Sequence, residues 1–163
     1  MTNLVSFLLF CQVVGALSGA FAAVWSEFVY IRAMRDGRID SAEREHLNIV
    51  GKGLRFGILL ILISSLGLII TAYVQRLSVQ PVLTADYWIV TMLAFLIIGI
   101  SWALSQRKIS FTFGSAIVFS AWWFLAYLAL GWIPALSFGS AVAFFVVVTA
   151  ILYAMLAYLR FLL

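Results

Sequence analysis

The chain has 163 residues, 66% of them hydrophobic and 10% charged, with a mean hydropathy of +1.17 and a formal net charge of +4. Soluble domains are about 45–50% apolar and about 25% charged, and one of this size buries only about 70% of its extended surface. This composition excludes a water-soluble globule, a disordered chain and a nucleic-acid binder, and predicts one all-α, polytopic transmembrane domain over residues 1–163.

A helix needs about 20 apolar residues to cross the ~30 Å hydrocarbon layer. Five stretches meet that length and predict transmembrane helices at about 4–34, 41–75, 87–106, 109–131 and 134–162. Strands are excluded because the runs are apolar on all sides, without the alternation of a membrane barrel. Placing the N-terminus outside and the C-terminus inside puts Arg32, Arg35, Arg38, Arg44, Lys52, Arg55, Arg107, Lys108 and Arg160 on the cytoplasmic side, and only Arg76 outside. That distribution follows the positive-inside bias. The basic excess therefore reads as a topology signal, with no anionic partner implied.

The first span holds Ala20-x-Ala22, a signal-cleavage pattern. No basic region precedes it and the apolar run continues past it, so it reads as a retained helix. Cys11 is the single cysteine, which excludes an intrachain disulfide, and it reads as a small core residue. Small residues line one face: Gly15, Ser18, Gly19, Ala22, Ala23 and Ser26. Gly15-x-x-x-Gly19 here, and Gly53-x-x-x-Gly57 in the second helix, predict close helix packing. Packing within one chain is favoured over a dimer interface. Gln12 and Glu27 lie fifteen residues apart, a net turn of about 60°, and so share this face. It should look inward, because lipid penalises both polar groups.

Glu27 is the one acidic residue inside the apolar runs of these helices, the second of which spans Phe56 to Val74. It lies roughly 6 Å into the apolar layer. An intramembrane carboxylate is a functional-site candidate by default. Its expected partner is Arg55, or less readily Lys52, on the antiparallel second helix. The plainer reading is an ion-pair staple. The sharper one is a proton relay or cation site.

The segment from Ile31 to Arg55 predicts a tight hairpin. Asp36-Gly37 is a turn signal, Gly37 suits a helix C-terminus, and Asp40 with Glu43 resembles a capping box. Glu43, Arg44, Glu45 and His46 would then stand in water or among headgroups. The same stretch is similar to the second half of a calcium-binding loop. Arg32 and Met34 fall where calcium needs oxygen ligands, so calcium is rejected. A basic residue, Asp-Gly, a basic residue, Ile and a later Glu, set between long apolar helices with Ser64, Ser65 and Gly67 in the second, resemble a group of functionally uncharacterised small multi-pass bacterial membrane proteins. The resemblance covers about the first 75 residues. It implies a bacterial inner (cytoplasmic) membrane and carries no activity. The tryptophan-rich sensory proteins match in size, but the Trp-Tyr and Trp-x-Pro-Pro patterns expected there are absent.

The predicted connection between the second and third helices contains Pro81. The fourth span carries Trp122, Trp123 and Tyr127 near mid-membrane. They read as an aromatic patch: packing is the plainer explanation, and a quinone, pigment or lipid site is the sharper one. Trp88, Trp102 and Trp132 read as interface anchors. His46 is the single histidine, so bis-histidine haem is excluded, and no metal cluster or nucleotide loop is legible. No cofactor is expected. Five spans do not divide into two inverted halves.

Three functions are therefore expected. A structural or accessory subunit, packed on partner subunits or on itself within the bilayer, comes first. A small transporter or channel using Glu27, with Gln12 and Arg55, comes second. A hydrophobic-ligand binder at Trp122, Trp123 and Tyr127 comes third. An enzyme acting on lipid is a distant fourth.

Overall fold

The computed structural model describes residues 2–36, 41–75, 84–106, 108–132 and 136–162. Among the described residues every regular element is a helix: α1 (Thr2–Asp36), α2 (Ser41–Val74), α3 (Ala85–Ser105), α4 (Phe111–Ala129) and α5 (Phe138–Leu162). All five contain a span long and apolar enough to cross a membrane. The shortest, α4, has 19 residues. At 1.5 Å per residue it reaches about 29 Å, the depth of the hydrocarbon layer. The 35 residues of α1 and 34 of α2 exceed that depth. Their excess lies around the hairpin, since the apolar span of α2 starts only at Gly51.

The helix ends differ from the sequence expectation by a few residues, for local reasons. The Thr84 hydroxyl accepts the Tyr87 N–H, so α3 starts at Ala85, before the expected 87. The Ser137 hydroxyl accepts the Ser140 N–H at 3.3 Å, so α5 starts at Phe138 and not at 134. Gly131, at φ 67°, ends α4: its N–H reaches the Leu128 carbonyl and the Trp132 N–H reaches that of Tyr127. This pair of bonds is a Schellman closure, and a glycine takes its left-handed position without strain. The Gly37 turn, the Asp40 cap and the Pro81 connection lie outside the described residues.

Helices α1 to α4 close a ring. Each packs on the next, α4 returns to α1, and the α2–α3 seam is the thinnest. α1 and α2 make the most extensive pairing and run antiparallel, with Ala22 beside Gly53, Gly15 beside Gly57 and Gln12 beside Ser65. A methyl at Gly57 would stand 2.8 Å from the Gly15 carbonyl, and one at Gly15 would stand 2.9 Å from the Gly57 carbonyl. Only two glycines permit that approach of backbones. α5 lies outside the ring against α4 and α3, with 17% of its span buried against 56% for α4. That contrast makes α4 the central helix and α5 a peripheral one.

Several hydroxyls inside the spans are satisfied by their own helices, although the Thr149 hydroxyl of α5 is buried with no partner. Ser64 donates to the Leu60 carbonyl at 2.6 Å, Thr71 to Gly67 at 2.7 Å and Ser120 to Ala116 at 2.7 Å. Such back-bonding removes the cost of a polar group in a water-free layer. Large apolar side chains, among them Phe21, Trp25, Phe28, Ile63 and Phe95, cover the outside. In water this surface would aggregate. Facing acyl chains it costs nothing.

Candidate functional site

Two cavities sit at opposite ends of the four-helix ring, and each takes residues from all four helices. The first, about 150 Å³, is lined by Ser26 and Glu27 of α1, Leu54 of α2, Ser101 of α3 and Ser115 and Val118 of α4. The second, about 220 Å³, is lined by Gln12 and Ala16 of α1, Ile61 of α2, Asp86 of α3 and Leu125 and Leu128 of α4.

Glu27 is 7% exposed. Among the described residues it is the one buried carboxylate, and its cavity brings hydroxyl-bearing residues from three helices to one place. From α2 it is Leu54 that lines this cavity, while the expected partners Arg55 and Lys52 are exposed. The lining supplies a carboxylate and alcohol oxygens without sulfur or imidazole. Oxygen ligands of this kind suit protons and hard cations, not soft metals. Among the described residues no group of three or more His, Cys, Asp or Glu side chains forms.

Gln12 lies at the other end. Its Nε2 donates to the Ser65 Oγ at 2.8 Å and ties α1 to α2. Asp86, in the first turn of α3, stands on the rim of the same cavity. An acidic side chain is favourable there, where free backbone N–H groups leave positive potential. Gln12 and Glu27 thus share the inward side of α1 but serve different cavities.

Between the two cavities lies a dry layer. Ala20, Leu93, Ala94, Ala121 and Trp122 are fully buried within it. Along α1 it runs from Ala16 to Ala23, about 10 Å. Trp122 is the largest of these side chains. The indole crosses from α4 to the glycine face of α1 and α2: a methyl at Gly19 would overlap Trp122 Cε3 and Cζ3, and one at Gly57 would lie 2.9 Å from Cη2. The Trp122 Nε1 is buried with no hydrogen-bond partner.

The structure therefore separates the expected aromatic patch. Trp122 faces the bundle axis. Trp123 and Tyr127 face the other way, with ring centroids 6.1 Å apart, and line a groove of about 560 Å³ between α4 and α5 with Phe119, Phe144 and Phe145. Adjacent residues of a helix point about 100° apart, so the two tryptophans cannot share a face. Trp88, Trp102 and Trp132 are all exposed, and the Lys108 ammonium lies 4.5 Å from the Trp102 ring centroid. Cys11 is free and half-buried.

Sequence reasoning missed Asp86 and the converging Ser26, Ser101 and Ser115. The serines carry no spacing signal because they lie on three helices. Asp86 was visible as an acid beside a helix start. No family model, curated protein or solved structure matches the chain.

Proposed function

We propose that this chain is a small transporter or channel of the bacterial cytoplasmic membrane, moving protons or a small monovalent cation along the axis of its four-helix ring. Glu27 is the intramembrane acceptor. The observation that carries the reading is the buried Glu27 carboxylate, held in a cavity that all four helices line. A carboxylate in the apolar layer is costly to keep, and a structural role would be met more cheaply by packing. The opposed cavities weigh the reading toward transport and away from a purely structural or accessory subunit. The N-terminus is outside and the C-terminus inside, on the strength of the basic residues. The Asp86 cavity then faces the exterior and the Glu27 cavity the cytoplasm.

Flux into liposomes tests it. The purified chain is reconstituted, a potassium gradient with valinomycin sets the potential, and proton and sodium entry are followed with dyes. Wild type is expected to conduct one of the two ions. Glu27→Gln, which keeps shape and removes the charge, is expected to cut that flux about a hundredfold, the scale on which a fixed intramembrane charge acts. Equal flux in both proteins, or none in wild type, overturns the reading.

The α4–α5 groove favours a second reading, a bound hydrophobic ligand. Its lining is aromatic, and the Trp123 Nε1 is buried with no partner. A stoichiometric lipid, quinone or pigment found by mass spectrometry in a mild-detergent preparation supports it. Only bulk lipid there, in membrane proportions, sinks it.

A further inference from the structure

The largest side chain of the layer between the cavities, Trp122, sits in one defined seat. Gly19 and Gly57 lie on different helices, and both face the Trp122 indole. The indole reaches them from α4, the neighbour of α1 in the ring. Above it, toward Asp86, the cavity begins at Ala16, Ile61 and Leu125. Below it, toward Glu27, the other cavity begins at Ala23, Leu54 and Val118. Ala20, Ala94 and Ala121 are small, and Leu93 is the other large side chain fully buried in the layer.

We propose that Trp122 is the gate of this protein: its indole, seated between Gly19 and Gly57, separates an Asp86-side vestibule from the Glu27 site, and conduction requires it to leave that seat. The inference rests on the transport reading for its function but on geometry alone for its place. A hydrophobic constriction blocks ions because water will not stay in it. An indole serves well as such a plug, since it is broad, flat and moves on two torsions. Its Nε1 adds a second feature. A buried donor without a partner is costly, and the cost is removed if the ring swings into either polar cavity. The closed state is thus held by packing in the glycine seat and opposed by an unsatisfied N–H. That balance is what a two-state gate needs.

Two variants loosen the seat from opposite sides. Trp122→Phe keeps a ring in the layer but leaves the far end of the niche empty. Gly19→Ala fills the niche instead: the atoms nearest to its new methyl all belong to Trp122, so the ring must move. Trp122→Ala removes the plug outright. Thermal unfolding in detergent shows which variants are folded, and the two milder ones serve if Trp122→Ala is not. Each folded variant is expected to raise the ion flux of proteoliposomes about tenfold over wild type, as widening a dewetted constriction does. The added flux should still fall with Glu27→Gln.

A labelling experiment separates the two proposals. In a Cys11→Ser background, Ser115→Cys places a thiol in the Glu27 cavity. A membrane-impermeant cationic thiol reagent added from the Asp86 side is expected to label it in the Trp122 and Gly19 variants and not with Trp122 intact. Labelling without flux would leave the gate standing and remove the transport reading. Glu27-dependent flux in wild type that neither Trp122→Phe nor Gly19→Ala changes, with no new labelling, would overturn the gate and leave the transport reading in place.

Discussion

Replacing Gly57 by valine is expected to cost the fold about 3 kcal/mol or more, the upper range for inserting methyls into a packed interior. The site has no room on two sides. One new carbon would sit 2.8 Å from the Gly15 carbonyl oxygen and 2.9 Å from the Trp122 indole. The first neighbour is backbone and can move only if α1 moves. α1 and α2 would separate along their whole crossing, and Gln12 would lose its 2.8 Å bond to Ser65. Gly57→Ala should show the same sign with a smaller loss. There a helix-propensity gain of about 1 kcal/mol works against the clash, and the clash wins because neither neighbour is a flexible side-chain end. Gly99→Ala is the control. Nothing lies within 4 Å of its new methyl, so the propensity term acts alone and the variant should be neutral or more stable. Detergent-titrated unfolding followed by circular dichroism measures all three. Gly57→Val as stable as wild type would mean that α1 and α2 do not cross at these glycines.

The reach of sequence reasoning ended where one helix must be told how another sits. Five apolar runs were legible because crossing the hydrocarbon layer sets a length, and that length does not depend on partners. The inward face of α1 was legible too, since Gly15, Gly19 and Glu27 recur with the helical period. The structure buries all three. What those glycines face was not legible. The niche for Trp122 is made by Gly19 and Gly57, which belong to two helices and meet a third, and no spacing within one segment encodes that.

The aromatic patch of α4 carries a periodic signal that adjacency along the chain conceals. Phe119, Trp123 and Tyr127 follow each other at intervals of four and form one stripe. Trp122 falls in step with Val118 and Ser115 instead, which line the Glu27 cavity, while Phe119 borders both that cavity and the α4–α5 groove. Helical period, and not nearness along the chain, assigns the two tryptophans to different faces. The helix starts at Thr84 and Ser137 were likewise readable from capping residues. The peripheral place of α5 was not. Its span is as apolar as that of α2, with mean hydropathies of 2.5 and 2.4, and in lipid hydropathy no longer separates core from surface.

Replacing Glu27 by leucine is expected to raise stability while ending conduction, and these opposite signs are what distinguish a working carboxylate from a structural one. The side chain is 7% exposed, so the fold bears most of the cost of removing its charge from water. Substituting a buried charged group by a well-packed apolar one of similar volume is neutral or stabilising by about 1–3 kcal/mol, provided no charged partner is left stranded. Glu27 does engage a partner, and the paired measurement decides whether its loss strands that group; Arg55 and Lys52 are exposed and stay solvated without it. The cavity beside it, about 150 Å³, also has room for the branched end of leucine. A staple would give the reverse sign: its loss would loosen α1 from its neighbours and lower the melting temperature. The measurement is therefore a paired one, melting temperature and liposome flux on the same Glu27→Leu preparation. A higher melting temperature with lost flux means that the fold keeps Glu27 at a cost to stability because the carboxylate carries the ion. A clear fall in melting temperature would assign Glu27 to holding the bundle together, and the axial cavities would then need another acceptor.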